Sequence, residues 1–346
     1  MNSLNGFPRF KKILVPLDGS PIAEEAISMA ATIVCASRAE LLLLRVILPS
    51  GYVPLHPMAP VGLAESMRET AFTNARDYLQ HVIAYANLET LKVQSDVLQG
   101  GAATTIVDYA VLQGVDLIVM RTHGETGLTR WIMGSTAQQL VRNSPVPVLV
   151  IPKLHDQPIT FRPAPRALIA LDGSPIAEEA ILPAAQLIAT LAQPGRGAIH
   201  LTRVVQHFTS FGRQTKAQIE QLNKEQRAEG EAYLKNIKQR ILKEELAPPN
   251  MKITSSVVTY TDVDDITKRI LEESACVGEP PEFTGCTLIA MSTHGRHGFQ
   301  HLLLGSFTED VLGMTDKPLL VVHSSKSLEG PQKKTAKKEK INVPIL

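Results

Sequence analysis

The ten residues DGSPIAEEAI occur twice in this chain, at 18–27 and at 172–181, each time directly behind an apolar run. Chance does not repeat ten residues, so the chain either duplicates one structural unit or builds one local site twice. Reading outward decides the matter. KKILVPLDGS is answered by PRALIALDGS, AELLLLRVIL by GAIHLTRVVQ, and KVQSDVLQGGAATTI by KITSSVVTYTDVDDI. Further on, DLIVMRTHG is answered by TLIAMSTHG and SPVPVLVIP by TDKPLLVVH. The offset between matched segments grows from 154 to 158, 160 and 171, so insertions accumulate in the second copy, the largest around CVGEPPEFTGC. A repeating unit of about 150 residues is too long for a solenoid and has the size of a domain. The expected domains are residues 9–153 and 166–324, with a linker at 154–165 and a tail at 325–346.

Within each copy, apolar β-branched runs alternate with helical patterns. KILVPL is a short continuous apolar run, the pattern of a strand buried on both faces of a parallel sheet. Behind it Ser20 is placed to cap a helix, Pro21 fits the first helical position, and Glu24 and Glu25 favour the positive end of the helix dipole. Ser174, Pro175, Glu178 and Glu179 repeat the signal. A second strand follows, then a helix near Leu63–Tyr85, a strand ending near Gly100 and Gly101, and a helix over Ala102–Gln113. A fourth strand at 116–120, a loop, a short helix from Ser135 and a fifth strand at 147–151 close the copy. This alternation predicts the α/β class, as two tandem open parallel five-stranded sheets with helices on both faces. The second copy also carries a highly charged helix, KAQIEQLNKEQRAEGEAYLKNIKQRILKEEL, whose narrow apolar stripe is Ile219, Leu222, Tyr233, Ile237 and Ile241. Such a helix lies on one sheet face with most of its surface solvated.

A net charge of +1 with 44% hydrophobic residues gives no electrostatic case for a nucleic-acid partner. The apolar run LLLLRVIL is too short and too interrupted to span a bilayer, and the N-terminal residues show no signal-peptide pattern. Cys35, Cys276 and Cys286 form no CxxC pair. The expectation is a cytoplasmic protein without a membrane partner. Its Lys-rich tail, poor in apolar residues, is expected to be disordered.

The chemistry-bearing segments are MRTHGETGLTRWIMGSTAQQL and MSTHGRHGFQHLLLGSFTEDV. Each reads His-Gly, nine residues, Gly-Ser, giving Gly124 with Gly134 and Ser135, and Gly295 with Gly305 and Ser306. The serine opens a helix with capping-box spacing, Ser135 with Gln138 and Ser306 with Glu309. A glycine just outside a parallel strand lets backbone approach a ligand, and one ahead of a helix exposes amide donors where the dipole favours an anion. Together they describe a phosphate cradle at the carboxyl edge of the sheet, where open α/β folds bind ligands. Asp18 and Asp172, at the end of the first strand of each copy, line the same edge. There they accept hydrogen bonds from a ligand amine or hydroxyl, or serve as turn residues that satisfy nearby backbone N–H groups.

LVPLDGS, LIALDGS and the two THG…GS loops resemble the universal stress protein family in its tandem two-domain form, over nearly the whole chain before the tail. The family's nucleotide motif is Gly, two residues, Gly, nine residues, Gly-Ser/Thr. The last three elements match in both copies, while Arg121 and Ser292 stand in place of the first glycine. The resemblance implies an adenine nucleotide alpha hydrolase-like fold and a stress-response regulator that binds an adenine nucleotide, ATP, with Mg²⁺ only as carried by it. It places adenine near Asp18 and Val46 and phosphates at Gly124, Gly134 and Ser135. In the second copy it implies Asp172, Val204, Gly295, Gly305 and Ser306. It further implies pairing through the fifth-strand edge, so that one chain forms an internal pseudo-dimer, with a higher homo-oligomer and an unidentified protein partner left open.

The sequence carries no GK[ST] behind either glycine loop, no GxGxxG after the first strand, and neither the HxGH nor the SGGxDS of related nucleotide enzymes. His123 and His294 are the residues suited to acid–base work, or to ordering the glycine loops by hydrogen bonding. No nucleophile-and-base pair and no metal-ligand spacing is recognisable. Two alternatives to a nucleotide-binding regulator therefore stand beside it, an interaction scaffold with degenerate sites and a slow ATP hydrolase.

Overall fold

The computed structural model describes residues 7–49, 62–121, 134–152, 164–193, 195–209, 215–276, 285–293 and 304–324. Residues 325–346, which contain the Lys-rich tail, and 153–163, which contain most of the linker, lie outside this set.

The first copy runs β1 (Lys12–Leu17), α1 (Pro21–Ser37), β2 (Glu40–Ile47), α2 (Leu63–Tyr85), β3 (Val93–Gln99), α3 (Ala102–Gln113), β4 (Leu117–Arg121), α4 (Ser135–Asn143) and β5 (Val148–Ile151). The second runs β6 (Arg166–Leu171), α5 (Pro175–Glu178), α6 (Ile181–Leu191), β7 (Ala198–Gln206), α7 (Lys216–Lys243), β8 (Lys252–Tyr260), α8 (Asp265–Cys276), β9 (Leu288–Thr293), α9 (Leu304–Met314) and β10 (Leu319–His323). All ten strands form one sheet in the order β3-β2-β1-β4-β5-β10-β9-β6-β7-β8. Each half is parallel, and the halves join through the antiparallel pair β5–β10, with Leu320 opposite Leu149. The two expected sheets are thus continuous. Joining them hides two strand edges that would otherwise present unpaired backbone groups.

The strands alternate their side chains between two apolar layers. One core packs β1 to β10 against α1, α2, α6 and α7, and the other packs the opposite face against α3, α4, α8 and α9. Both cores cross the seam. Leu149 and Leu320 belong to the first, and Val148 and Leu319 to the second. The two copies are therefore not separable at the seam without exposing core.

Ser20 and Ser174 cap their helices as the sequence predicts, their hydroxyls accepting from the N–H groups of Ala23 at 3.2 Å and Ala177 at 3.1 Å. The identical segments then diverge. α1 continues for 17 residues, whereas its counterpart breaks after Glu178 and restarts as α6. Pro183 explains the break, because it has no N–H to give the Glu179 carbonyl and its ring crowds the preceding turn. On α7 the buried stripe is Gly230, Leu234, Ile237 and Ile241, with Ile219, Leu222 and Tyr233 half-buried. Gly230 lets α7 pack tightly on the sheet, since a β-carbon there would lie 3.3 Å from the Val257 methyls.

The capping box expected at Ser135 is not formed, and the Ser306 side chain lies outside the described residues. The N-cap of α4 is Gly134, with no side-chain cap, and α9 begins at Leu304, one residue before Gly305. Glu309, expected to reach back to Ser306, instead pairs across the seam with Arg142 of α4 and approaches Gln138 at 3.5 Å. A charged partner on the facing helix outweighs a local cap.

Candidate nucleotide site

β1 has β2 on one side and β4 on the other, so the chain leaves the sheet in opposite directions around its carboxyl end. β6 repeats this between β7 and β9. Such switch points open a crevice beyond the strand ends, and one cavity is found at each. The first measures about 80 Å³ and is lined in part by Asp18, Val46, Ile106, Met120 and Thr136. The second measures about 250 Å³ and is lined by the matching Asp172, Val204, Ile266, Met291 and Phe307.

Asp18 and Asp172 line these cavities, and both serve the turn as one sequence reading expects. Oδ1 of Asp18 accepts from the Ser20 N–H at 2.9 Å and from its hydroxyl at 2.6 Å. Oδ1 of Asp172 accepts from the Ser174 N–H at 2.8 Å. Between them Gly19 and Gly173 adopt φ of +85° and +90°, which L-residues rarely populate. Val46 and Val204 sit at the ends of β2 and β7 on the cavity face. Gly134 and Ser135 open α4, and Gly305 and Ser306 lie in the first turn of α9. Gly124, Gly295, His123 and His294 lie outside the described residues.

Beneath each turn the structure places a group that sequence comparison aligned without assigning a role. Arg45 and Arg203 lie against Gly19 and Gly173, so that an added β-carbon would come within 3.1 and 3.0 Å of a guanidinium nitrogen. Each guanidinium rests over a tyrosine, Tyr78 at 5.7 Å and Tyr233 at 5.8 Å. Each tyrosine hydroxyl in turn donates to a first-turn glutamate, Glu24 or Glu178, at 2.9 Å. Burial, reinforced by these carboxylates, pushes both phenol pKa values up. The signal for this clamp is Tyr78-Leu79 against Tyr233-Leu234, a shared pair inside two helices that otherwise look unrelated.

Where the family motif has its first glycine, Arg121 is buried, and its guanidinium is held by the Glu25 carboxylate and the Pro152 carbonyl. Its charge is balanced within the protein. In the second copy Ser292 takes this place and Glu179, the counterpart of Glu25, accepts from Ser324 Oγ at 3.0 Å. Asp262, two residues beyond the tyrosine that replaces Gly100, turns its Oδ1 to the Asp264 N–H at 3.3 Å and is exposed. That carboxylate is occupied at the start of α8.

The second copy also gathers a serine, a histidine and a glutamate that the sequence did not associate. Buried His200 meets Thr254 Oγ1 through Nδ1 at 2.8 Å, while Nε2 faces both Ser256 Oγ at 2.8 Å and Glu273 Oε1 at 3.1 Å. A hydrolytic triad needs the acid on one ring nitrogen and the nucleophile on the other. Here Ser256 and Glu273 share Nε2, so Ser256 is not arranged as the nucleophile of such a triad, and the cluster ties β7, β8 and α8 together. Among the described residues no group of three or more His, Cys, Asp or Glu is placed to hold a metal ion. None of the described helices is long and apolar enough to cross a membrane.

Comparison with known proteins agrees with this architecture. The universal stress protein family model matches twice, over residues 9–152 and 164–323. A universal stress protein of Methanocaldococcus jannaschii is 35% identical over 155 residues, 44% of this chain and 89% of that protein. One of Mycolicibacterium smegmatis is 27% identical over 318 residues, 90% of this chain and 96% of that one. The crystal structure of a universal stress protein from Archaeoglobus fulgidus shares the fold, with a TM-score of 0.58 at 18% identity over 90% of this chain and 98% of that one. With an open α/β sheet built from two copies of one unit, the protein is of the tandem type. It belongs to the universal stress protein family.

Proposed function

We propose that this protein is a stress-response regulator that binds an adenine nucleotide, ATP, at the carboxyl edge of its sheet. The residues assigned to the site are Asp18, Val46, Gly124, Gly134 and Ser135 in the first copy. In the second they are Asp172, Val204, Gly295, Gly305 and Ser306. One observation carries the reading: in both copies the strand-one aspartate and the strand-two valine line a cavity at the switch point, walled by the helix that follows the glycine loop. An aspartate and backbone groups suit the amines and hydroxyls of a nucleoside, an apolar valine floor suits the base, and a helix start suits phosphate. Mg²⁺ enters only with the triphosphate. The test is calorimetric titration of Mg-ATP into the wild type and into Gly124→Val/Gly295→Val, with mass spectrometry of small molecules released from the purified protein. Binding by the wild type and loss in the double variant are expected; undiminished binding in the double variant refutes the site.

A further inference from the structure

The two cavities are related by the duplication, yet they are not equivalent. A volume of about 80 Å³ accommodates two or three waters at ~30 Å³ each. A volume of about 250 Å³ approaches the lower end of small-molecule sites, which begin near ~300 Å³. Two exchanges accompany the difference: Pro16 of β1, which lines the first cavity, is answered by Ala170 of β6, which lines the second, and Leu44 of β2, also lining the first, is answered by the smaller Thr202 of β7 on the same face.

The walls differ in kind as well. Among the described lining residues, the first cavity has no aromatic side chain, whereas the second has Tyr260 and Phe307, where the first copy has Gly100 and Thr136. The second cavity also reaches over the sheet edge to Arg203 and to Gln226 of α7, whose counterpart in α2 is Ala71. The polar groups among its described lining residues are Asp172, Arg203, Gln206, Gln226 and the Tyr260 hydroxyl. Apolar and aromatic walls with a few convergent polar groups are the mark of a small-molecule site.

We infer that, of the two candidate sites proposed above, only the cavity of the second copy takes a ligand, with Tyr260 and Phe307 as the side chains that contact its planar ring. The identity of that ligand as an adenine nucleotide rests on the function proposed above; the inequality of the cavities does not.

The primary experiment is calorimetric titration of the full chain with Mg-ATP, and separately with adenosine. One site per chain is expected for the wild type. Binding is expected to vanish in Val204→Trp, to weaken about tenfold in Phe307→Leu or Tyr260→Leu, and to persist at wild-type affinity in Ala102→Trp/Thr136→Trp, which fills the first cavity. Two sites per chain, retention in Val204→Trp, or loss in the first-cavity variant overturns the inference. Should the wild type bind neither compound, the nucleotide reading fails and thiol labelling decides the cavity inequality. Val46→Cys and Val204→Cys would be compared in a Cys35→Ser/Cys276→Ser background with a maleimide reagent. The preceding arginine is common to both sites, and Arg121, which lines only the first cavity, would favour the thiolate of Val46→Cys, so slower labelling there is not electrostatic in origin. Labelling at Val204→Cys at least tenfold faster supports the inference, and equal rates overturn it.

Discussion

Replacing Gly173 by alanine asks two separable things of the strand-one turn. The backbone there has φ of +90°, a region that costs an L-residue about 1–2 kcal/mol. The new β-carbon would also sit 3.0 Å from Arg203 Nη2 and 3.2 Å from Cζ. Arg203 has little room to retreat, because its Nη1 donates to the Val204 carbonyl at 3.0 Å and its other side rests on Tyr233. Overpacking of this kind adds roughly 1 kcal/mol or more, so Gly173→Ala should cost about 2–3 kcal/mol in all. Gly114→Ala is the internal reference, with φ of +63° and nothing within 4 Å, and should cost about 1 kcal/mol from the backbone alone. The assay is urea unfolding followed by circular dichroism, on both variants and on Gly173→Ala in an Arg203→Ala background. Removing the guanidinium should bring the cost of the Gly173 substitution down to the Gly114 value. An unchanged cost in that background would show that arginine packing plays no part, and the clamp beneath the turn would be refuted.

Two further outcomes follow from the packing. Leu149 and Leu320 face each other across the seam and are almost fully buried, so each change to alanine should cost about 2–5 kcal/mol. The double variant should depart from the sum by about 0.5–3 kcal/mol, because the pair shares one cavity; strict additivity in equilibrium unfolding would show that the halves do not share a core. Glu273 has its carboxyl pKa lowered by the hydrogen bond from His200 and, in lesser degree, by Ser256. A depressed carboxylate contributes stability above its ordinary value of about 4.5 and loses it as pH falls through the lower, folded value. Glu273→Gln should therefore lose less stability than the wild type on acidification below about pH 4.5. Parallel acid limbs in urea titrations would overturn this account of the cluster.

Much of this molecule is legible in the chain because its signals are local or repeated. Continuous apolar runs require strands covered on both faces, and Ser-Pro followed by acids requires a helix start; neither depends on distant residues. The duplication then imposes one topology twice, and it marks Asp18 with Asp172 and Val46 with Val204 as equivalent positions. Other features come into being only when remote segments meet. The Glu309 carboxylate has a capping partner in sequence and a stronger cationic one, Arg142, on the facing helix. The Arg–Tyr–Glu clamps join a strand and two helices, and His200 acquires Ser256 and Glu273 only once β7, β8 and α8 are packed. The unequal cavities belong to this second group. Ala170 and Thr202 are unremarkable in sequence, and their small volumes matter only because the sheet sets them side by side beneath one switch point. Sequence fixes what each segment prefers to be, whereas side-chain volume and charge choose their partners only in three dimensions.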